Sequence, residues 1–166
     1  VESGEHAFYF SNVAISPIIA SVAEELSALA HSGQVELLVE PVEEEILVKA
    51  DQSALRTILE NLLTNGLKYT PAGGKVTVTW RRDDAHALIQ VRDTGVGIPS
   101  EHHDRIFERF YRVDRARTRE IGGTGLGLSI VKHLANVLEA EVTLESEVGR
   151  GSVFSLKIPL AAEAPG

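Results

Sequence analysis

The chain has 166 residues, which suits one domain, and with 43% hydrophobic but only 5% aromatic residues its core is predicted to be mostly aliphatic. The formal net charge of −8 argues against a broad surface for nucleic acid or an anionic membrane, because such surfaces need an excess of Lys and Arg. The absence of cysteine excludes disulfides and thiolate metal sites, and no apolar run reaches the length of a membrane span.

The first predicted element is a helix over residues 17–30, with Pro17 in its first turn behind Ser16 as the N-cap. Residues 1–12 show no clear periodicity and are predicted to be the tail of a preceding domain. The pattern then predicts, in chain order, strands over 34–40 and 45–49, a helix over 52–68 capped by Asp51, a hairpin over 75–80 and 87–93, a short helix over 101–108, a helix over 126–138 and a hairpin over 141–146 and 152–159. The predicted buried face of the helix over 126–138 consists of Ile130, Val131, Leu134, Val137 and Leu138.

Strands interleaved with a few long helices predict an α+β fold, a two-layer α/β sandwich. We expect a mixed, mostly antiparallel sheet covered on one face by three helices. The arginine-rich segment 109–124 has weak periodicity and predicts a long mobile loop. The domain is predicted to span residues 13–160, with a disordered C-terminal tail over 161–166. The absence of any methionine, with valine first, predicts that the chain is part of a longer protein.

A polar row follows the helix predicted over 52–68. Asn61, Asn65 and Lys68 lie four and three residues apart, so they fall within roughly 60° of one another on one helix face. Amide oxygens can ligate Mg²⁺ and an ammonium group attracts phosphate, so the row fits a metal-chelated phosphate. The alternative is an ordinary solvated face, and only other motifs decide between the two.

The stretch DTGVGIP at residues 93–99 follows a predicted strand. One interpretation is a turn, and another is half of an aspartic protease dyad, which would require a dimer because no second D-T-G or D-S-G is present. In a third interpretation Asp93 is a hydrogen-bond acceptor for an exocyclic amine such as that of adenine. Gly95 and Gly97 would then let a flat ring pack on the backbone.

The stretch GGTGLGL at residues 122–128 places four glycines in six positions before a predicted helix. It is not a dinucleotide fingerprint, because Leu128 stands where the third glycine is required and no strand precedes it. It is not a Walker A loop either, because no G-K-[ST] follows. The stretch indicates either a loop hinge or a helix N-terminus whose free backbone N–H groups bind an anion such as phosphate.

Taken together, these motifs resemble sensor histidine kinases. The segments similar to that family's N, G1, F and G2 boxes, in family order and spacing, are NLLTNGLKYTP (61–71), DTGVGIP (93–99), IFERFYRVD (106–114) and GGTGLGLSIVK (122–132), followed by GRGSVFSLKIP (149–159), which resembles the closing strand pair. The likeness covers about residues 17–160 and is to the catalytic ATP-binding domain. Its fold is shared with gyrase, the mismatch-repair ATPases and the 90-kDa heat-shock chaperones.

The resemblance implies a site for ATP and Mg²⁺. Asn65 would ligate the ion and Asn61 would support it. Lys68 and Arg112 would contact the phosphates and serve in catalysis. Asp93 would accept the adenine amine. The other residues implied in nucleotide binding are Tyr69, Gly95, Gly97, Ile98, Tyr111, Gly123, Thr124, Gly125, Leu126, Gly127, Leu128 and Ser152. The segment 113–121 would form an ATP lid that nucleotide orders.

The resemblance also implies partners. The γ-phosphoryl group would pass to a histidine on the protein's own dimerisation domain and then to an aspartate of a response regulator. None of the six histidines here lies in the family's acceptor pattern, so we read all six as structural or solvated and expect the acceptor before Val1. The isolated domain is expected to be a monomer incompetent for autophosphorylation, and the full protein a homodimer. The likeness implies a cytoplasmic domain of an inner-membrane sensor, with no nucleic-acid partner.

Two other functions stay open at this point. A self-sufficient gyrase-like ATPase, driving a conformational clamp, would carry a glutamate general base where Asn61 stands; Glu60 is adjacent but lies about 100° round the helix. A non-catalytic interaction module would have kept the fold and lost turnover.

Gly66 departs from the family pattern, which usually has alanine at this position. This glycine is expected to destabilise the helix by about 0.5–1 kcal/mol.

Overall fold

The computed structural model describes residues 7–111 and 127–162. Its elements, in chain order, are β1 (Phe10–Ala14), α1 (Ile15–Glu25), α2 (Ser27–Ser32), β2 (Glu36–Val39), β3 (Leu47–Asp51), α3 (Gln52–Tyr69), β4 (Lys75–Asp83), β5 (His86–Asp93), a 3₁₀ helix (Ser100–His102), α4 (Gly127–Val137), β6 (Glu141–Glu147) and β7 (Gly151–Pro159). None of the helices in this part of the chain combines the length and apolar character that crossing a bilayer requires.

The main sheet has five strands in the order β2-β4-β5-β7-β6. Strand β2 runs parallel to β4, and every other pairing in this sheet is antiparallel. The residues of β4 alternate, with Val76, Val78 and Trp80 buried, because one face of the strand packs under the helices. Helix α3 packs against β4 and β5 and lies between α1 and α4. The predicted α+β sandwich with a mixed, mostly antiparallel sheet is confirmed.

The leucine stripe of α3 forms the centre of the core, as its helical spacing predicts. Its fully buried members are Leu55, Ile58, Leu59, Leu62 and Leu63. Asp51 caps the helix as predicted, because its Oδ1 accepts a hydrogen bond of 2.8 Å from the Ala54 backbone N–H. Its Oδ2 accepts a second one, of 2.9 Å, from the backbone N–H of Tyr9, which ties the N-terminal segment to the start of α3.

A second, two-stranded sheet pairs β1 with β3 and was not predicted. Phe10 lies opposite Asp51 and Ala14 opposite Leu47. Only Val13 of β1 is buried, so the strand lacks the alternation that would mark it in the sequence. Residues 10–12, which lie in the segment predicted to be the tail of a preceding domain, belong to this strand.

The helix predicted over 17–30 is two helices, separated at Leu26. Ser27 Oγ donates to the Glu24 carbonyl at 2.8 Å, and such local bonds compete with the helical ladder. The N-cap position is Ala14, so the expectation of a cap at Ser16 is wrong, and Pro17 is the third residue of the helix.

Three further boundaries differ from prediction. The first hairpin is longer than expected, because β4 runs to Asp83 and His86 is already the first residue of β5. The segment 101–108 holds turns after the 3₁₀ helix in place of a regular helix. On α4, Ile130 is exposed, and Val131 and Ala135 face the core.

Candidate functional site

Asp93 is the last residue of β5 and lies under the C-terminal half of α3. Only 6% of the residue is exposed, and its Oδ1 accepts hydrogen bonds from the backbone N–H groups of Gly95 (2.8 Å) and Ser152 (3.2 Å). Burial raises the pKa of the Asp93 carboxyl, and the two backbone donors partly oppose that rise. Its Oδ2 receives no hydrogen bond from any described residue, so one carboxylate oxygen remains as an acceptor for a ligand.

The glycines after Asp93 are required by contacts within the protein itself. A Cβ on Gly95 would lie 2.6 Å from the Tyr69 carbonyl oxygen. Gly97 has a φ of +78°, and its Cβ would lie 2.2 Å from the Glu147 carbonyl oxygen. The direction in which each side chain would point is thus filled by backbone. That a flat ring packs on this backbone stays a prediction.

The polar row of α3 meets the first turn of α4. Asn61 Nδ2 donates to the Thr57 carbonyl at 2.8 Å, and its Oδ1 points to Gly127, where an added Cβ would lie 2.9 Å from that oxygen. The predicted convergence of the row with the glycine-rich stretch is therefore present at residues 61 and 127. Asn65 and Lys68 are half-buried and form no side-chain hydrogen bond or ion pair with residues 7–111 or 127–162. Their polar groups are available to a ligand.

The donor set suits a metal only together with a ligand that brings its own oxygens. No three His, Asp or Glu side chains of the described residues form a group that could hold a metal ion. Amide oxygens are acceptable ligands for Mg²⁺, which binds proteins through few groups and completes its shell with water and phosphate. The residues present therefore fit a magnesium ion delivered with a phosphate chain.

Tyr111, the last described residue before the gap, is held by two neighbours. Its hydroxyl is hydrogen-bonded to His102 Nδ1, and the Arg105 guanidinium lies 4.7 Å from its ring centroid. Leu128 is half-buried against the core. The remaining predicted site residues lie outside the described residues, as does the predicted lid 113–121. These residues are Arg112, Gly123, Thr124, Gly125 and Leu126.

Two side chains at the site carry no sequence signal. Ser146 Oγ accepts a hydrogen bond of 2.7 Å from the backbone N–H of Ile98, and His103 Nε2 donates to the Ile98 carbonyl at 2.7 Å. Ser146 looks like one more polar residue in an alternating strand, and His103 like a histidine on a helix surface. Their proximity to Ile98 arises only from the fold.

Glu60 faces away from this site. Arg56 Nε lies 3.8 Å from its carboxylate, and burial together with the neighbouring Glu25 carboxylate raises the pKa of Glu60. Both partners lie on the α1 side of α3, whereas the Asn61 amide faces α4. The expected separation of these two adjacent side chains is present.

A buried acceptor, an amide row and a helix N-terminus on an α/β sandwich define a nucleotide-binding domain. Residues 50–162 match the family described as histidine kinase-, DNA gyrase B-, and HSP90-like ATPase. The chain belongs to this family, and within it to the catalytic ATP-binding domains of sensor histidine kinases.

Curated relatives support this placement. The sensor histidine kinase RppB of Synechocystis is 36% identical over 146 residues, which is 88% of this chain and 32% of RppB. The sensor-like histidine kinase SenX3 of Mycobacterium bovis is 35% identical over 164 residues, 99% of this chain and 40% of SenX3. The phosphate regulon sensor protein PhoR of Pseudomonas aeruginosa is 37% identical over 86% of this chain and 32% of PhoR. The chain thus spans less than half the length of these relatives.

Solved structures give the same result for the fold. Full-length ShkA in complex with AMPPNP superimposes with a TM-score of 0.81 at 31% identity, covering 96% of this chain and 33% of ShkA. The catalytic domain of the histidine kinase ThkA gives a TM-score of 0.79 at 25% identity, covering 91% of this chain and 95% of that domain.

Proposed function

We propose that this domain binds Mg·ATP and donates the γ-phosphoryl group to a histidine on a separate dimerisation domain, for onward transfer to an aspartate of a response regulator. The observation that carries the proposal is the free Oδ2 of Asp93, a buried acceptor at the end of β5 beside the amide row of α3. Membership of the kinase family supports the same reaction. The ShkA structure contains AMPPNP, an ATP analogue, in a protein of the same fold.

Each part of the site has a role in this proposal. Asp93 accepts a hydrogen bond from the adenine amine, which selects the base. The amide oxygens of Asn65 and Asn61 hold the metal ion, and Lys68 attracts the phosphates. Bound Mg²⁺ neutralises phosphate charge. The site is rich in donors and poor in nucleophiles, which suits phosphoryl transfer, a reaction that depends mainly on positioning and charge stabilisation.

The remaining assignments concern the whole protein. Arg112 is proposed to reach the terminal phosphate, and residues 113–121 to close over the nucleotide. The acceptor histidine is proposed to lie on another domain, because none of the six histidines of this chain lies in the acceptor pattern of the family. The full protein is proposed to be a homodimeric sensor at the inner membrane with this domain in the cytoplasm, as the sensor kinases among its relatives suggest.

A phosphotransfer assay tests the proposal. The domain is mixed with γ-labelled ATP, Mg²⁺ and the acceptor-helix hairpin of its own full-length protein. We expect label on the hairpin as an acid-labile, base-stable phosphoramidate, and negligible ATP turnover by the domain alone. Asp93→Asn is expected to lower labelling at limiting ATP about 10- to 100-fold.

The same assay separates the other functions. Steady hydrolysis by the domain alone, with a large loss on Glu60→Ala, would support the clamp ATPase. Glu60 faces Arg56 and not the amide row, so we expect that substitution to leave phosphotransfer unchanged. Undetectable Mg·ATP binding by calorimetry would support a non-catalytic interaction module.

A further inference from the structure

Two side chains hold the peptide groups of Ile98 from both ends of the residue. The backbone N–H donates to Ser146 Oγ at 2.7 Å, and the carbonyl accepts from His103 Nε2 at 2.7 Å. A carbonyl has no hydrogen to give, so His103 carries a hydrogen on Nε2. Ile98 is a wall of the proposed base pocket, so the position of that wall depends on two side chains from outside the loop.

The hydrogen bonds of Ser146 also fix the direction of a neighbouring hydroxyl. Ser146 Oγ has three partners: the Ile98 N–H, the Gly151 carbonyl at 3.1 Å and Ser152 Oγ at 2.7 Å. A serine hydroxyl has one hydrogen and two lone pairs. The Ile98 N–H uses one lone pair and the Gly151 carbonyl takes the hydrogen. The 2.7 Å contact by itself allows either oxygen to donate, but the arrangement that makes all three contacts hydrogen bonds at once has the second lone pair receive the hydrogen of the Ser152 hydroxyl.

This assignment leaves Ser152 Oγ as an acceptor beside Asp93. Ser146 and Ser152 lie directly opposite each other on β6 and β7, and the Ser152 backbone N–H donates to Asp93 Oδ1 at 3.2 Å. The network therefore runs from the Ile98 wall to the base-selecting carboxylate. Two polar atoms at this end of the site can still accept a hydrogen bond from a ligand. These atoms are Asp93 Oδ2 and Ser152 Oγ.

The other anchors of the loop do not depend on side chains. The Gly149 N–H donates to the Val96 carbonyl at 2.9 Å, and Gly97 packs against the Glu147 backbone. Substituting Ser146 or His103 leaves these contacts intact. The loop should stay folded when the wall and the hydroxyl lose their fixed positions.

We propose that Ser146 and His103 are positioning residues that determine the selectivity of the site for a 6-amino over a 6-oxo purine nucleotide. This rests on the proposed function. The amine donates hydrogen bonds, so it matches a rim of acceptors, whereas a 6-oxo group would face those acceptors with its own lone pairs. Without Ser146 the Ser152 hydroxyl can rotate and donate to the oxo group. Without His103 the Ile98 carbonyl loses its donor and the wall can shift.

Calorimetry with Mg·ATP and Mg·ITP tests this, because these nucleotides share sugar and phosphates and differ at the purine C6 group and in the hydrogen that N1 carries in the 6-oxo base. We expect Ser146→Ala and His103→Ala to lower the ratio of the ITP Kd to the ATP Kd by about tenfold. Ser146→Thr keeps the hydroxyl and His103→Gln keeps a donor, so both should restore the ratio to within about twofold of the wild type. Affinity for Mg·tripolyphosphate, which has no base, should not change.

Matched controls distinguish positioning from general damage. Ser155→Ala removes a buried hydroxyl from the neighbouring strand β7, one whose partner is Gln90 Nε2 at 3.1 Å, and His31→Ala removes an exposed histidine from α2. Both should leave the ratio unchanged. If Ser146→Ala does not fold, the comparison of His103→Ala with His103→Gln tests the proposal by itself.

The outcomes separate the two proposals. The positioning role is overturned if the Ser146 and His103 variants lose ATP and ITP affinity equally, or if they lose neither. In that case the proposed function still stands as long as the wild-type domain binds Mg·ATP. A wild-type domain that binds neither nucleotide overturns both.

Discussion

Asp93 combines a stability cost with a proposed binding role, because its carboxylate is buried and one of its oxygens accepts no hydrogen bond from the described residues. In Asp93→Asn the amide oxygen can still accept from Gly95 and Ser152, but an NH₂ group replaces Oδ2 and meets the adenine amine donor to donor. We expect ATP affinity to fall about 10- to 100-fold, since an unmade buried hydrogen bond costs about 1–3 kcal/mol. Calorimetry measures this. An unchanged Kd would show that Asp93 does not contact the base.

The raised pKa of Asp93 makes stability and binding respond to pH in opposite directions. Because burial raises the folded-state pKa above the ordinary value of 3.8, the folded protein binds a proton more readily than the unfolded chain between these two values. Its contribution to the free energy of unfolding therefore falls as pH rises through that window. ATP affinity should rise over the same window, as the carboxylate ionises. Urea unfolding and calorimetry from pH 4 to 7 should show both trends, and Asp93→Asn should remove them.

Gly66 offers a stabilising substitution. A Cβ there would lie 3.4 and 3.5 Å from the two Val76 Cγ atoms and 3.8 Å from Asp93 Cβ, which are ordinary packing distances. Alanine also lowers the helix cost of glycine, so Gly66→Ala should raise the free energy of unfolding by about 0.5–1 kcal/mol. Urea denaturation measures it. Gly74→Ala is the contrast, because its Cβ would lie 2.4 Å from Thr70 Cγ2, and it should destabilise.

The residues that could be predicted are those whose roles follow local spacing. Asn61 and Asn65 share a helix face because they are four residues apart, and Asp93 ends a strand that alternation reveals. Ser146 and His103 could not be predicted. Ser146 contacts Ile98 across 48 residues, and His103 contacts it through a turn that breaks the helix expected there.

Helices α3 and α4 approach most closely where Asn61 faces Gly127. An alanine at 127 would place Cβ 2.9 Å from Asn61 Oδ1, the free end of a side chain, so the amide would have to turn away while the backbone stays in place. We expect Gly127→Ala to keep the free energy of unfolding within about 0.5 kcal/mol and to weaken Mg·ATP binding about tenfold, because it misplaces a metal-holding group.

The control for that substitution is Gly33→Ala. Its Cβ would have ordinary contacts, the nearest at 3.6 Å from the Leu29 carbonyl, in a helix end that lies in another part of the chain. Both variants gain one Cβ, so only displacement of Asn61 separates them. Weaker binding in both variants, or in neither, would contradict a role for the α3–α4 contact.

Elements were predictable where the hydrophobic period is long and regular. Helix α3 and the alternating strands β4 and β5 satisfy that condition. Strand β1 has one buried residue in five, and the break at Leu26 lies beside the Ser27 hydroxyl that donates to the Glu24 carbonyl. Ile130 is exposed because α4 packs through Val131 and Ala135, a narrower face than the run of apolar residues suggests.

At the scale of the whole molecule, the fold class followed from element order, but the strand order could not. The sequence shows two hairpins and two lone strands. It does not show that β7 inserts between β5 and β6 or that β3 leaves the main sheet to pair with β1. This insertion places Ser152 beside Asp93 and β6 behind the loop after β5, so the site depends on it.

Binding at a site that joins α3, α4, β5 and β7 should stabilise the entire domain. A ligand at 100 times its Kd adds about 2.7 kcal/mol to the free energy of unfolding, which for a domain of this size raises Tm by about 5–10 °C. No three acidic or histidine side chains in the described residues form a metal site, so Mg²⁺ alone should shift Tm by less than about 1 °C. ATP with a chelator should give only part of this rise in Tm, whereas ATP with Mg²⁺ should give the full rise.

The part of the rise in Tm that Mg²⁺ adds to the effect of ATP should depend on the amide row of α3. Asn65→Ala removes one amide oxygen without creating a cavity in the core, since Asn65 is only half-buried. We expect the variant to keep the shift given by ATP with chelator and to lose most of the increase that Mg²⁺ adds. A full shift from Mg²⁺ alone would place the metal elsewhere. A shift from ATP that is independent of Mg²⁺ would remove the metal from the proposed site while leaving the base pocket at Asp93.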